Sequence, residues 1–250
     1  MTEFVVVIPA RFASERLPGK PLRNIAGKPM LQHVHERGLE SGAREVIIAT
    51  DDQRIAAAAT GFDATVCMTA PGHRSGTDRL AEVARTHDWP ADTVIVNLQG
   101  DEPLMPSPLI GQCASLLEDE RADVATLASP LISEEDFANP NVVKAVVDYE
   151  GFALYFSRAA IPFARSADPA HPAMQLALHH HGIYAYRHEV LQQIVDAGQS
   201  PLELAEQLEQ LRALSLGMRI KVGIPDTRPG PGVDTEEDVE AVEALLQVGR

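Results

Sequence analysis

The sequence predicts an α/β fold in which βαβ units build a parallel sheet. Short apolar runs rich in β-branched residues occur at positions 4–8, 46–50 and 94–98. Continuous runs of this kind are typical of strands that are buried on both faces. Between them, apolar residues recur with helical spacing at positions 30–34 and 80–84. The order strand, helix, strand, helix, strand indicates consecutive βαβ units.

The rest of the chain continues the alternation of strands and helices. Further strands are predicted at positions 124–127, 142–147, 182–186 and 219–222. Leu204, Leu208 and Leu211 have the spacing of one amphipathic helix, and Val239, Val242 and Leu246 predict another.

These elements predict a single domain over residues 1–250, since no internal repeat or low-complexity linker divides the 250-residue chain. Residues 142–177 are the segment expected to leave the main sheet. Within it, positions 163–173 include Pro169 and Pro172 and show no periodicity. A structureless stretch of this length in a compact domain is usually functional or an interface arm, so this segment is our candidate dimer contact.

The charge balance excludes some classes of partner. The chain carries 21 Lys and Arg against 36 Asp and Glu, a formal charge of −15. A duplex nucleic acid demands a basic surface, so no nucleic-acid partner is expected, whereas one nucleotide needs only a local basic pocket.

Cys67 and Cys113 form no CxxC pair. The longest apolar run, residues 4–10, is far below the roughly 18 residues of a membrane span. A cytoplasmic protein with two buried thiols and no membrane segment is expected.

The loop after the first strand is the basic exception in this acidic chain. Across positions 9–24 it is locally +3, because four basic residues face one acid: Arg11, Arg16, Lys20, Arg23 and Glu15. Ligands of open α/β sheets bind outside the carboxyl ends of the strands, and guanidinium and ammonium groups suit a triphosphate. Pro21 follows Gly19-Lys20, so this is not a Walker P-loop. A solvated turn with scattered charge is the alternative.

Two aspartates are candidate ligands for Mg²⁺. Asp101 follows the third apolar run, beside Gly100, at the end of a predicted strand. Mg²⁺ usually takes one or two carboxylates together with substrate phosphates. Asp234 is the second candidate, but Glu237 three residues later is equally typical of a helix N-cap with a capping box.

Two further segments leave alternatives open. Ser75 or Thr77 either caps the helix that follows or contacts a base or phosphate at its N-terminus. The triplet at 179–181 has no Cys nearby and no His at i+4, so it does not favour zinc. If it continues into the strand at 182–186, His179 and His181 face one side and His180 the other. One histidine facing a substrate pocket is the preferred interpretation.

Taken together, eight segments closely resemble the 3-deoxy-manno-octulosonate (Kdo) cytidylyltransferase family, also called CMP-Kdo synthetases. The matching segments occur in family order at positions 8–22, 49–51, 75–79, 94–103, 154–158, 182–184, 208–212 and 232–235. The ordered set covers nearly the whole chain and is highly specific.

The resemblance implies a nucleotide-diphospho-sugar transferase (Rossmann-like) fold, with a mixed, mostly parallel sheet flanked by helices. It implies a nucleotidyltransferase that joins CTP and Kdo to give CMP-Kdo and diphosphate, activating Kdo for bacterial lipopolysaccharide synthesis. It also implies Mg²⁺ as cofactor and a homodimer.

The resemblance assigns roles to individual residues. Those expected to hold the triphosphate are Arg11, Arg16 and Lys20, and those expected to surround the cytidine are Ala10, Ser75, Gly76, Arg79 and Gln99. Asp101 and Asp234 would bind Mg²⁺ and, with the three basic residues, form the catalytic set. The expected sugar-acid site comprises Gln99, His180, Tyr184, Glu209 and Gln210. The chain departs from the family pattern at Phe163, His179 and Pro231.

Three other functions are consistent with parts of this pattern. A cytidylyltransferase for another sugar acid, 8-amino-Kdo or a sialic acid, is the nearest, and His179 and Phe163 are positions that could shift that choice. A catalytically silent nucleotide-binding regulator would be favoured by a missing metal carboxylate, yet Asp101 and Asp234 are both present. A structural oligomerisation protein would have no need of the basic loop.

Overall fold

A nine-stranded sheet forms the centre of the protein in the computed structural model, which describes residues 2–13, 17–73, 75–165 and 173–248. The strands are β1 Phe4–Pro9, β2 Asn24–Ile25, β3 Lys28–Pro29, β4 Glu45–Thr50, β5 Thr65–Met68, β6 Val94–Asn97, β7 Val124–Pro130, β8 Lys144–Val147, β9 Ala153–Ser157, β10 Leu178–Arg187 and β11 Ile220–Gly223. Of these, β2 and β3 form a separate two-stranded hairpin, and the other nine form the sheet. The helices are α1 Met30–Leu39, α2 Gln53–Thr60, α3 Gly76–Thr86, α4 Ser107–Ser115, α5 Glu134–Ala138, α6 Ala173–Leu176, α7 His188–Asp196, α8 Pro201–Glu206, α9 Gln210–Ser215 and α10 Glu236–Val248. Short 3₁₀ turns span Lys20–Leu22 and Leu116–Glu118.

The main path of the sheet runs β11-β7-β10-β6-β1-β4-β5. Strands β6, β1, β4 and β5 pair in parallel, whereas β10 is antiparallel to both β6 and β7. This is the mixed, mostly parallel sheet that the resemblance implies. Parallel strands end at one edge of the sheet, so the segments after β1, β4 and β6 meet there.

The predicted strands are apolar throughout because helices cover both faces of the sheet. In β1, Val5 and Val7 belong to one core cluster, and Val6 and Ile8 belong to the cluster on the opposite face. All four side chains are fully buried.

Both cysteines are buried free thiols, as predicted. Within the described ranges, no helix is long and apolar enough to cross a membrane.

A third apolar cluster fixes the last helix against the loop that follows β1. It comprises Leu17, Ile25, Met30, Val233, Val239 and Val242. Helix α10 therefore packs on the β2–β3 hairpin, which precedes α1. This packing brings Asp234 to the segment that carries Lys20.

One predicted helix is wrong. Leu204, Leu208 and Leu211 lie not on one helix but on α8, the connection after it and α9. The chain leaves α8 at Gln207, whose φ of 54° is left-handed. Ser200 and Glu203 form a capping box, and Glu203 also accepts two hydrogen bonds from Arg212 of α9, at 2.8 and 2.6 Å. This ion pair ties two short helices together where periodicity alone indicates one long helix.

The segment at 142–177 is only partly described. Its predicted strand is confirmed as β8, which pairs with β10 and β9. Strand β9 and strand β5 were not among the predicted elements. Positions 166–172 lie outside the described residues, so most of the irregular stretch predicted at 163–173 stays a prediction, as does the assignment of 142–177 as a dimer contact.

Candidate active site

A cavity of about 790 Å³ opens at the carboxyl edge of the sheet, and we call it the charged cavity. Nine residues predicted to bind CTP or Mg²⁺ line it: Ala10, Arg11, Lys20, Ser75, Gly76, Arg79, Gln99, Asp101 and Asp234. The structure thus brings together the described residues that the sequence assigns to CTP and Mg²⁺. Arg16, the remaining member of that set, lies outside the described residues.

Lys20 is the charged centre of this cavity. Its Nζ donates to Asp101 Oδ2 at 2.7 Å, to Asp234 Oδ1 at 2.9 Å and to the Val233 carbonyl at 2.9 Å. Burial alone would lower the pKa of Lys20, but the attraction of Asp101 and hydrogen bonds to both aspartates outweigh it, and the pKa is raised. The ammonium is therefore charged at neutral pH.

Two glycines allow the backbone geometry around Lys20 and Asp101. Gly19 has a φ of +68°, a conformation that glycine adopts without strain, immediately before the 3₁₀ turn that starts at Lys20. A Cβ on Gly100 would lie 2.9 Å from the Pro9 carbonyl oxygen. The ends of β1 and β6 approach closely because Gly100 has no side chain, and this approach brings Asp101 over the charged cavity.

The structure separates the two interpretations of Asp234. The start of α10 is capped by other residues: Thr235 Oγ1 accepts from Asp238 N at 3.3 Å, and Asp238 Oδ2 accepts from Asp234 N and Thr235 N at 2.9 Å. The Asp234 carboxylate instead reaches Lys20. The Asp234 carboxylate thus already contacts a cation, and the capping role belongs to Thr235.

The two aspartates fit a divalent cation, because both already share one cation, the Lys20 ammonium. Two carboxylates around one position are the usual protein contribution to a Mg²⁺ site, which substrate phosphates and water complete. In the described part of the chain, no group of three or more His, Cys, Asp or Glu side chains could hold a metal by itself. A metal here would therefore need oxygen ligands from a substrate.

Helix α3 begins at the same cavity. Ser75 is its N-cap, with Oγ accepting from Asp78 N at 3.1 Å, so the capping interpretation is confirmed although Ser75 also lines the cavity. Thr77 Oγ1 donates to Glu209 Oε2 at 2.6 Å. The buried Arg79 bonds to Thr69 Oγ1 and lies 3.3 Å from Asp51.

A second cavity of about 500 Å³, which we call the histidine cavity, adjoins the first. Its lining includes the whole set predicted for the sugar acid: Gln99, His180, Tyr184, Glu209 and Gln210. Gln99 and Glu209 line both cavities and so form a shared wall.

The histidine triplet lies in β10, and its side chains alternate between the two faces of the strand, as predicted. The rings of His179 and His181 lie 5.0 Å apart, whereas His180 is buried on the other face. Thr126 Oγ1 donates to the Ile183 carbonyl at 2.6 Å, so its oxygen accepts from His180 Nε2 at 2.9 Å. Burial, and then the neighbouring His181 and His179, lower the pKa of His180 to about 3. His180 is therefore neutral and presents an uncharged ring.

Polar residues without a predicted role also line the histidine cavity, among them Asn97, Glu102 and Arg228. Burial, followed by the charges of Asp101 and Asp234, raises the pKa of Glu102 to about 8. Glu102 and Asn97 could have been found from the sequence, since both stand in the strand-end segment that contains Gln99 and Asp101. The exposed Arg228, in the connection after β11, had no such signal.

A mostly parallel sheet with a lysine, two aspartates and a helix N-terminus gathered at its carboxyl edge defines a nucleotide-binding α/β protein of the nucleotidyltransferase class. The adjoining histidine cavity provides room for a second substrate. Comparison with known proteins agrees with this class. The sequence model of the cytidylyltransferase family matches residues 5–220.

Curated relatives narrow the nucleotidyltransferase class to one family. The 3-deoxy-manno-octulosonate cytidylyltransferase of Vibrio parahaemolyticus is 51% identical over 245 residues, covering 97% of this chain and 98% of the relative. That of Marinobacter nauticus is 52% identical over 255 residues, covering 98% of each. This chain belongs to the 3-deoxy-manno-octulosonate cytidylyltransferase family.

Solved structures agree with the sequence comparison. A CMP:2-keto-3-deoxy-manno-octonic acid synthetase complexed with CTP superposes with a TM-score of 0.90, at 45% identity and 100% coverage of both chains. A 4-diphosphocytidyl-2C-methyl-D-erythritol synthase from Anaerococcus prevotii, 12% identical with a TM-score of 0.63, shares the fold.

Proposed function

We propose that this enzyme transfers CMP from CTP to Kdo, giving CMP-Kdo and diphosphate. The observation that carries the proposal is the wall of Gln99 and Glu209 shared by the two cavities. A triphosphate in the charged cavity and a sugar acid in the histidine cavity would meet across this wall. The family membership supports the same pair of substrates.

In the proposed reaction, the anomeric hydroxyl of Kdo attacks the α-phosphorus of CTP. A new P–O bond forms as the bond to the diphosphate breaks, and the hydroxyl proton is released to solvent. Such reactions depend on positioning and charge stabilisation more than on covalent steps by the protein. Arg11, Arg16 and Lys20 bind the triphosphate, and Lys20 offsets the charge that develops on the leaving diphosphate.

The cytidine lies against Ala10, Ser75, Gly76, Arg79 and Gln99. The sugar acid lies against Gln99, His180, Tyr184, Glu209 and Gln210. The neutral His180 adds no charge beside the carboxylate of the substrate, and the Tyr184 ring, 5.2 Å away, extends the same surface.

Asp101 and Asp234 are the residues that would hold Mg²⁺. Bound there, the metal would neutralise phosphate charge and lower the pKa of a coordinated hydroxyl. Lys20 occupies the position between the two carboxylates, so we expect its ammonium to turn toward the phosphates when metal and CTP bind.

We further propose that the enzyme is a cytoplasmic homodimer that serves lipopolysaccharide synthesis. The dimer contact is assigned to residues 142–177, where four large apolar side chains are exposed: Tyr149, Leu154, Phe163 and Leu176. Contiguous exposed apolar side chains mark interaction surfaces, and the dimer assignment predicts that these four side chains form one such patch. Light scattering after size exclusion would give twice the 27.0 kDa chain mass. A monomer at micromolar concentration would contradict the dimer assignment.

The test of the activity is release of diphosphate from CTP with Kdo, 8-amino-Kdo and N-acetylneuraminic acid in parallel, repeated with UTP and ATP. We expect release with CTP and Kdo, and its loss on chelation of Mg²⁺. Preference for another sugar acid would change the assigned substrate but not the assigned phosphate chemistry. A folded protein silent in every combination would contradict the enzyme assignment.

A further inference from the structure

Two buried side-chain polar atoms have no hydrogen-bond partner within the described ranges: Asn97 Oδ1 and Gln210 Nε2. Both residues line the histidine cavity. Buried polar groups in folded proteins are nearly always paired, and an unpaired one destabilises the fold. Two exceptions at one cavity therefore indicate a common cause.

The fold itself does not require an amide at position 97. Asn97 is the last residue of β6, is 1% exposed and is paired in register with Tyr184 of β10. It lies on the sheet face that carries Ile95, where an apolar side chain would be equally well buried. An amide whose oxygen bonds to nothing in the protein is thus explained by something outside the protein.

The position of Asn97 connects it to the substrates. A Cβ on Gly76 would lie 3.9 Å from Asn97 Nδ2, so the amide lies beneath the start of α3, next to the charged cavity. Gln210, at the start of α9, lines the same cavity and is adjacent in sequence to the shared-wall residue Glu209. One unpaired atom accepts hydrogen bonds and the other donates them.

We propose that Asn97 is a binding residue for the sugar acid, with Oδ1 accepting a hydrogen bond from a substrate hydroxyl while Gln210 Nε2 donates to a substrate oxygen. A polyhydroxylated acid supplies both partners, because its hydroxyls donate and its carboxylate and hydroxyls accept. The inference rests on the proposed function for the identity of the substrate. It adds a residue that sets the orientation of the sugar relative to the phosphate.

The test is Asn97→Leu, which has nearly the same shape and no polar atoms. We expect the KM for the sugar acid to rise about tenfold, equivalent to about 1.4 kcal/mol, with the KM for CTP within about twofold of wild type. The melting temperature of the ligand-free variant should equal or exceed that of wild type, because an unpaired acceptor has been removed. A structural role would lower it.

Asn24→Leu is the matched control. Asn24 Oδ1 is paired, accepting from Gly27 N at 3.0 Å, and Asn24 is not in the lining of either cavity. This variant should leave both KM values unchanged. Asn97→Ala provides the same KM comparison if the leucine variant fails to fold.

Calorimetric titration of Kdo into wild type and Asn97→Leu separates this inference from the proposed function. Binding to wild type that is weakened in the variant supports the role of Asn97 even if turnover with Kdo is absent. Equal affinity for folded wild type and variant overturns the inference and leaves the enzyme assignment standing. Absence of binding to wild type overturns both.

Discussion

The charged cavity and the histidine cavity differ in whether their polar groups are paired within the protein. In the charged cavity, ionic groups neutralise one another: Lys20 pairs with Asp101 and Asp234, and Arg79 lies 3.3 Å from Asp51. In the histidine cavity, His180 is held neutral, and Asn97 Oδ1 and Gln210 Nε2 are unpaired within the described residues.

The difference follows from the strength of the interactions involved. An unpaired buried charge is far more unfavourable than an unpaired buried amide, so a site built for a highly charged ligand must neutralise itself before the ligand arrives. A triphosphate or metal that bound there would have to displace internal ion pairs. A site that binds the hydroxyl groups of a sugar can keep a few unpaired amides ready, because each one destabilises the fold only modestly.

The largest expected effect is a loss of turnover when an ion pair inside the charged cavity is removed. Asp101→Asn or Lys20→Ala should lower kcat by roughly 10²–10³, since loss of a contact to transition-state charge typically raises the barrier by about 2.7–4 kcal/mol. Steady-state diphosphate release would measure this, and circular dichroism would verify the fold. Turnover close to wild type would remove the substituted residue from the mechanism.

A smaller effect concerns the neutral His180. Its pKa is about 3 in the folded protein against 6.5 for the free group, so between those values the unfolded chain binds a proton that the folded protein does not. Stability therefore falls as pH drops below 6.5. His180 should contribute a loss of about 2 kcal/mol between pH 6.5 and 5, at about 1.4 kcal/mol per pH unit.

Urea unfolding of wild type and His180→Asn at pH 7 and pH 5 would measure this contribution. The free energy of unfolding of the variant should depend less steeply on pH by that amount. Parallel pH profiles for the two proteins would mean that His180 is not held neutral by the fold.

Gln210→Leu should have an effect of about tenfold, or 1.4 kcal/mol, on the KM for Kdo while CTP binding stays almost intact. The alternative is that Gln210 merely decorates an amphipathic helix, but its side chain is 7% exposed and lines the histidine cavity. Initial rates at varied Kdo and saturating CTP would decide. An unchanged KM for Kdo would support the alternative.

The smallest effect is expected at Arg23, which the sequence groups with Lys20 in the basic loop. Arg23 Nη2 bonds to Glu236 at 2.6 Å on the surface and is not in the lining of the charged cavity. Arg23→Ala should lower the free energy of unfolding by less than about 1 kcal/mol and leave kcat within about twofold. It is the matched control for Lys20→Ala, and a large loss of activity would extend the phosphate site to Arg23.

Much of the fold follows from local pattern. The runs at 4–8, 46–50 and 94–98 predict β1, β4 and β6 because a strand covered on both faces must be apolar throughout. The helix prediction from Leu204, Leu208 and Leu211 is wrong because periodicity does not register the left-handed turn at Gln207 or the ion pair between Glu203 and Arg212.

By itself, the sequence determined seven of the strands in their order along the chain, the basic loop, the strand-end aspartate and, through the ordered motifs, the family. These depend on neighbours a few positions apart, whose spacing sets which face each side chain occupies. Only the tertiary structure decided that Lys20 meets Asp101 and Asp234, which are 81 and 214 positions away, and that Thr235 rather than Asp234 caps α10. It also decided that Asn97 has no partner for its oxygen, because whether a buried group is paired depends on every element packed around it.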